Sequence, residues 1–183
     1  MNWQEESSRN DMEKVLIVVF DNESKAREAS RALEDLNDTD SIRLNANAIV
    51  TKGPGGAITV SQASEPAPEG ALGATAIGVL IGMLAGPAGL AIGAATGLIV
   101  GGTTDALYLK VGRDFLADVE RTLEPGKTAL VAQIYEENTG PVNERMAALG
   151  GVVFRRPFSD VAEEEYQKTV AAIRRRRESR QHA

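Results

Sequence analysis

No charged residue lies between Glu69 and Asp105, and within the stretch they bracket, Gly70–Thr104, the glycines keep a fixed spacing. Gly78, Gly82 and Gly86 sit four apart, with Ala74 one step earlier in the same row. After Pro87-Ala88 the spacing resumes at Gly89, Gly93, Gly97 and Gly101. Residues four apart share one face of a helix, so each arm carries a ridge of small residues. The larger apolar side chains lie off it: Ile77, Leu80, Ile81 and Leu84 on the first arm, Leu90, Ile92, Leu98, Ile99 and Val100 on the second. An interior glycine weakens a helix by about 1 kcal/mol relative to alanine. The pattern therefore makes sense where bare ridges let helix backbones approach closely, the small-xxx-small packing of membrane helices. A flexible linker would be polar and Gly/Ser-rich, without Ile, Leu, Val and Met at helical spacing. Ala74 and the seven glycines are the expected helix-packing positions.

A spanning helix needs about 20 apolar residues, and each arm offers only about 16. Gly86-Pro87-Ala88-Gly89 ends one helix and opens the next, because proline suits a first turn but not an interior. The expected shape is a short hairpin with an uncharged tip. It could span a thinned bilayer, enter and leave on one side, or pack with other copies in a water-soluble bundle. Membrane insertion is the favoured reading.

On either side of the hairpin the chain alternates strands and helices. Lys14–Phe20 (KVLIVVF) is a β-branched apolar run, short enough for a buried strand. Asp21 is placed to cap a helix over 23–36 that turns Ala26, Ala29, Leu33 and Leu36 inward. A second strand is expected over 42–52, a turn at Gly53–Gly56, and a third strand over 57–63. Beyond the hairpin, Phe115, Leu116, Val119 and Leu123 share one face of a helix over 113–123. Pro125-Gly126 stops it, and Thr128–Tyr135 (TALVAQIY) reads as a fourth strand. A helix over 141–149, a short edge strand over 152–154 and a last helix from 160 to about 177 follow, the last with a capping box at Asp160 and Glu163.

The order β-α-β-β-[hairpin]-α-β predicts an α+β fold, a ferredoxin-like βαββαβ sandwich with an inserted glycine-zipper helical hairpin and extra C-terminal α-β-α elements. The corresponding division is a disordered polar lead (1–13), two parts of one domain (14–69 and 105–159), the hairpin between them (70–104), and a C-terminal helix with a basic tail (160–183). Strands on both sides of the hairpin must join one sheet, so both flanks must lie on the same side of any membrane. A single crossing would tear the sheet apart. The first strand is apolar on both faces, so something must also cover the face that a simple ferredoxin-like sheet leaves bare: the late helices, the hairpin or a second subunit.

Little in the chain points to catalysis. It has no cysteine, which excludes disulfides and thiolate chemistry. Its one histidine, His182, is next to the last residue and has no fixed partner for general-base work. Gly126-Lys127-Thr128 resembles the end of a phosphate loop, but Arg121 stands where that loop needs glycine, and the strand follows instead of preceding. A helix-ending turn is expected there, and a hairpin turn at Gly53–Gly56. The carboxylate pairs Glu136-Glu137 and Glu163–Glu165 are adjacent and so point apart, and no spacing suggests a metal site. No catalytic, cofactor-binding or metal-binding residue and no cofactor is expected. The formal net charge of −6 argues against nucleic acid as a partner. Arg174, Arg175, Arg176 and Arg177 form a basic end, read either as a solvated helix terminus or as a contact with anionic lipid headgroups worth about 1 kcal/mol per residue.

VLIVVFDNESKAREASRALEDL, APEGALGATAIG, AGPAGLAIGAATG, LEPGKTALVAQI and ERMAALGGVVFRR together resemble the bacterial domain-of-unknown-function family 1269, over about Val15 to Asp160. The resemblance implies a bacterial, membrane-associated protein with an internal glycine zipper, and carries over no activity. The expected function is a non-enzymatic, self-associating protein of the inner membrane with its soluble parts in the cytoplasm. The alternative is a soluble homo-oligomeric ligand-binding or regulatory module whose hairpins pack as a bundle; its small-molecule ligand is unknown.

Overall fold

The structure is a computed structural model that describes residues 12–63, 77, 78, 80–82, 84 and 113–158. Five strands and three helices follow in the order β1 (Glu13–Phe20), α1 (Glu23–Asp38), β2 (Arg43–Lys52), β3 (Ile58–Ala63), α2 (Arg113–Thr122), β4 (Thr128–Tyr135), α3 (Gly140–Ala148) and β5 (Val152–Pro157). The described positions from 77 to 84 are also helical, and are called the arm helix below. β1 takes in Glu13, expected as the end of the polar lead; residues 1–11 of that lead, the second arm, the last helix, the Glu163–Glu165 run and His182 lie outside the described residues.

One antiparallel sheet has the order β3-β2-β4-β1-β5. β4 is central, with Tyr135 opposite Glu13 on β1 and opposite Arg43 on β2. In a ferredoxin-like sheet the third strand separates the first from the second. Here β3 stays outside β2 and β4 takes the central place, which corrects the expected order of strands. What survives of the expectation is the split β-α-β unit, in which β1 and β2 run parallel on either side of an antiparallel neighbour. The reason lies in burial. β4 is buried from Thr128 to Ile134, on both faces, whereas Val60 in β3 is exposed. A strand apolar on both sides belongs in the middle of a covered sheet, and an alternating one at its edge.

Both faces are covered. α1 lays Ala26, Ala29, Leu33 and Leu36 on Leu16, Val18, Ile49 and Leu130, with Val142 and Met146 of α3 beside them. On the opposite face, Phe115, Leu116, Val119 and Leu123 of the α2 segment pack with the arm helix over Val15, Ile17, Val50 and Val131. The arm helix and α2 thus supply the cover that two-sided β1 required. Side chains of β1 from Val15 to Phe20 are at most 2% exposed, which makes it the core of both layers.

Local chemistry sets the boundaries. Asn22, not Asp21, caps α1: its Oδ1 accepts from the Lys25 N–H at 3.0 Å. The side chain one residue nearer the helix satisfies one of the orphan donors of the first turn. β5 runs on to Pro157, so Arg155 and Arg156 sit inside the edge strand and not beyond it. At Gly151, just before β5, an added Cβ would come within 2.6 Å of Phe20 Cε1 and Val18 Cγ1, and only glycine lets the turn after α3 come down so closely on β1.

Candidate functional site

The arm helix has two unlike faces. Ile77, Leu80 and Leu84 are at most 5% exposed, and Ile81 packs against the same cluster half-buried. Their i, i+3, i+4, i+7 spacing makes one stripe, and that stripe is docked on the sheet. Gly78 and Gly82 lie on the other side, where an added Cβ would meet nothing within 4 Å. At these two of the expected helix-packing positions, the ridge is turned away from the protein's own core. Ala74, Gly86, Gly89, Gly93, Gly97 and Gly101 lie outside the described residues, as do Arg174, Arg175, Arg176 and Arg177.

On the same sheet face, beside the apolar cluster, is a row of polar side chains. Glu13 Oε1 accepts from Gln133 Nε2 at 2.6 Å and from Asn45 Nδ2 at 3.1 Å. A carboxylate only accepts, so it fixes which end of the Gln133 amide faces it. Among the described residues, Gln133 Oε1 and Arg156 Nε are buried without a partner. Arg156 also lies over the Phe115 ring, 5.2 Å from its centroid. Val15 stands between the two orphaned groups, opposite both Gln133 and Arg156 in the register. One clue to this row is legible in the sequence, a glutamine deep in the mostly apolar run TALVAQIY, whereas Glu13 passes there for part of a polar lead.

On the opposite face, Glu136 is fully enclosed and accepts from Arg155 Nε at 2.6 Å and Nη2 at 3.4 Å. Arg155 Nη1 reaches Asn143 Oδ1 at 2.7 Å, so the ion pair ties β4, α3 and β5 together. Glu137 is exposed, and the two adjacent carboxylates do point apart. Glu137 instead lines a polar cleft of about 570 Å³ with Asn37, Asp40, Arg43, Tyr135 and Asn138. Arg43 lies over the Tyr135 ring, 5.5 Å from its centroid, and Asp40 takes a φ of 54° at the turn after α1.

The two glycine-bearing turns serve the sheet. Gly126, at φ +90°, donates its N–H to the Lys52 carbonyl at 2.7 Å, while Lys127 pairs with Glu124 at 3.4 Å. Gly53 N–H closes the β2–β3 turn on Ala57 at 2.8 Å. Among the described residues, no group of His, Cys, Asp and Glu is placed to hold a metal ion, and no helix is long and apolar enough to cross a membrane.

Fold and site together define an α+β protein with a sheet covered on both faces and a glycine-lined helical arm folded onto one of them. Residues 71–171, more than half of the chain, match the family described as Protein of unknown function (DUF1269), and the chain belongs to that family. The match leaves β1 to β3 outside it, and runs past Asp160 but stops short of Arg174. No curated protein and no solved structure matches the chain.

Proposed function

We propose that the protein is a non-enzymatic, self-associating protein of the inner membrane, whose α+β body lies in the cytoplasm and carries the glycine hairpin to the lipid. The observation that carries this reading is the two-faced arm helix: its bulky stripe is held by the body, while Gly78 and Gly82 present a bare ridge outward. A second helix can approach such a ridge closely. β3 precedes the inserted segment and β4 follows it, both in one sheet, which supports a hairpin with both ends on one side of the membrane.

Length narrows the mode of insertion. With Leu84 docked, the uncharged sequence that follows is 85–104. Past the expected hinge at Gly86–Gly89, the second arm of about 15 residues makes a helix of about 22 Å, short of the ~30 Å hydrocarbon core. On this reading the hairpin enters the bilayer without crossing it. The reading assigns no catalytic residue, cofactor or nucleic-acid partner.

Burial of Ile77, Leu80 and Leu84 favours one second reading, a soluble homo-oligomeric module in which hairpins pack on each other and the polar cleft beside Arg43 takes a small ligand. Carbonate extraction of native membranes separates the two. Retention in the pellet at high pH is expected; release into the supernatant overturns insertion in favour of the soluble module.

A further inference from the structure

The sheet has two open edges among the described strands, and they are not alike. β5 is protected as natural edges are, by charge and proline: it carries Arg155, Arg156 and Pro157. β3 (ITVSQA) has no charge and no proline, and the uncharged run extends from Gly53 to Ser64. Each edge bears one exposed large apolar side chain, Val60 on β3 and Val152 on β5, both 49% exposed.

The outward groups of β3 follow from its pairing. Gly53 donates to Ala57, and hydrogen-bonded pairs alternate along an antiparallel ladder. Thr59 therefore bonds inward to Thr51, while Ile58 and Val60 turn their N–H and C=O away from β2. A bulge then shifts the register between Val60 and Gln62 and bends the strand. The straight open edge is Ala57–Val60.

We propose that a second copy of this chain pairs antiparallel with that edge, about a two-fold axis at Thr59. This register joins outward N–H and C=O groups of both copies and sets Val60 against the partner's Ile58, twice. The edge offers no charge to select an acidic or basic peptide, and none to repel its own copy. A C2 contact uses the same patch on both sides, and this patch is neutral and self-complementary. The surface is separate from the hairpin and adds a contact to the self-association proposed above.

Three paired residues a side make a weak contact, so the test traps it covalently. The chain has no cysteine, and Thr59→Cys introduces a single exposed thiol. In the proposed register the two thiols fall on a non-hydrogen-bonded pair with Cα atoms about 4.5 Å apart, within disulfide reach. Val152→Cys, on the other edge, is the control. Oxidation of the full-length variants by copper–phenanthroline in air at micromolar protein should give covalent dimer of Thr59→Cys at least about tenfold faster, because pairing raises the local thiol concentration. Adding Val60→Lys, a natural edge-blocking change, should return the rate to that of the control. Equal rates for the two thiols overturn the proposal, whatever light scattering reports of the hairpin contact. If Gly82→Leu abolishes oligomers and crosslinking together, the edge has no pairing of its own and the proposal also fails.

Discussion

Gly82→Ala separates two effects that most substitutions confound. Gly82 is inside the arm helix, and a Cβ built on it meets nothing within 4 Å. Steric strain is therefore absent, and what remains is the intrinsic preference of alanine over glycine in a helix, about 0.5–1 kcal/mol. At about 2–4 °C per kcal/mol for a chain of this size, the melting temperature should rise by roughly 1–4 °C. The measurement is circular dichroism during heating, at protein concentrations low enough that light scattering reports monomer. In the same variant, self-association through the ridge should weaken, because a methyl group now stands where a second backbone approaches; the bulkier Gly82→Leu should weaken it further. Opposite signs for monomer stability and association are the expected pair. If Gly82→Ala lowers the monomer's melting temperature, the ridge faces the protein's own core and the outward-ridge argument is wrong.

Leu80→Ala removes a fully buried stripe residue and should destabilise the body by about 2–5 kcal/mol in urea titrations; an unchanged midpoint would mean that the arm is not docked on the sheet. Gly151→Ala drives a methyl group into Phe20 and Val18 and should cost about 1–3 kcal/mol by overpacking, whereas Gly55→Ala, with open space around it, should lose far less. Arg155→Met leaves the enclosed Glu136 carboxylate unpaired and should cost about 3–5 kcal/mol, and adding Glu136→Leu should recover most of it; additive losses would refute the pairing. Arg27 hydrogen-bonds Glu23 and holds its carboxyl below the ordinary value, so the small contribution of this exposed pair is present above the unfolded pKa and fades as pH falls through the folded one. In Arg27→Ala, an NMR titration should find the Glu23 pKa raised; an unmoved value would assign the effect elsewhere.

Which elements form was legible in the sequence because periodicity reports burial directly. The apolar run of β1, the Ala26/Ala29/Leu33/Leu36 stripe and the Phe115/Leu116/Val119/Leu123 stripe are all buried. The order of strands was not legible, because motif order alone does not say which strand takes the centre. Two-sided burial of TALVAQIY decides that, and its weight appears only when β3 is set beside it. The docking of Ile77, Leu80 and Leu84 was half-visible. Their stripe was plain, but whether lipid, another hairpin or the sheet receives it depends on how much of the sheet's second face stands bare. Glu136–Arg155 was hidden for a different reason: neither residue belongs to a periodic pattern, and the pairing joins a strand end to an edge strand through α3.

The central place of β4 also gives the growing chain a timetable. When Leu84 leaves the ribosome, β1 and β2 exist but no strand joins them by hydrogen bonds, since each pairs with β4 and not with the other. The face that will receive Ile77, Leu80 and Leu84 has not yet been assembled. Synthesis reaches the start of β4 about 45 residues later, roughly 2–9 s at 5–20 residues per second. Throughout that interval the nascent stripe of Ile77, Leu80 and Leu84 is an apolar surface without an intramolecular berth. A nearby bilayer, a chaperone or a neighbouring nascent chain meets it first, and the sheet competes for the arm only after the last of its central strands has been made.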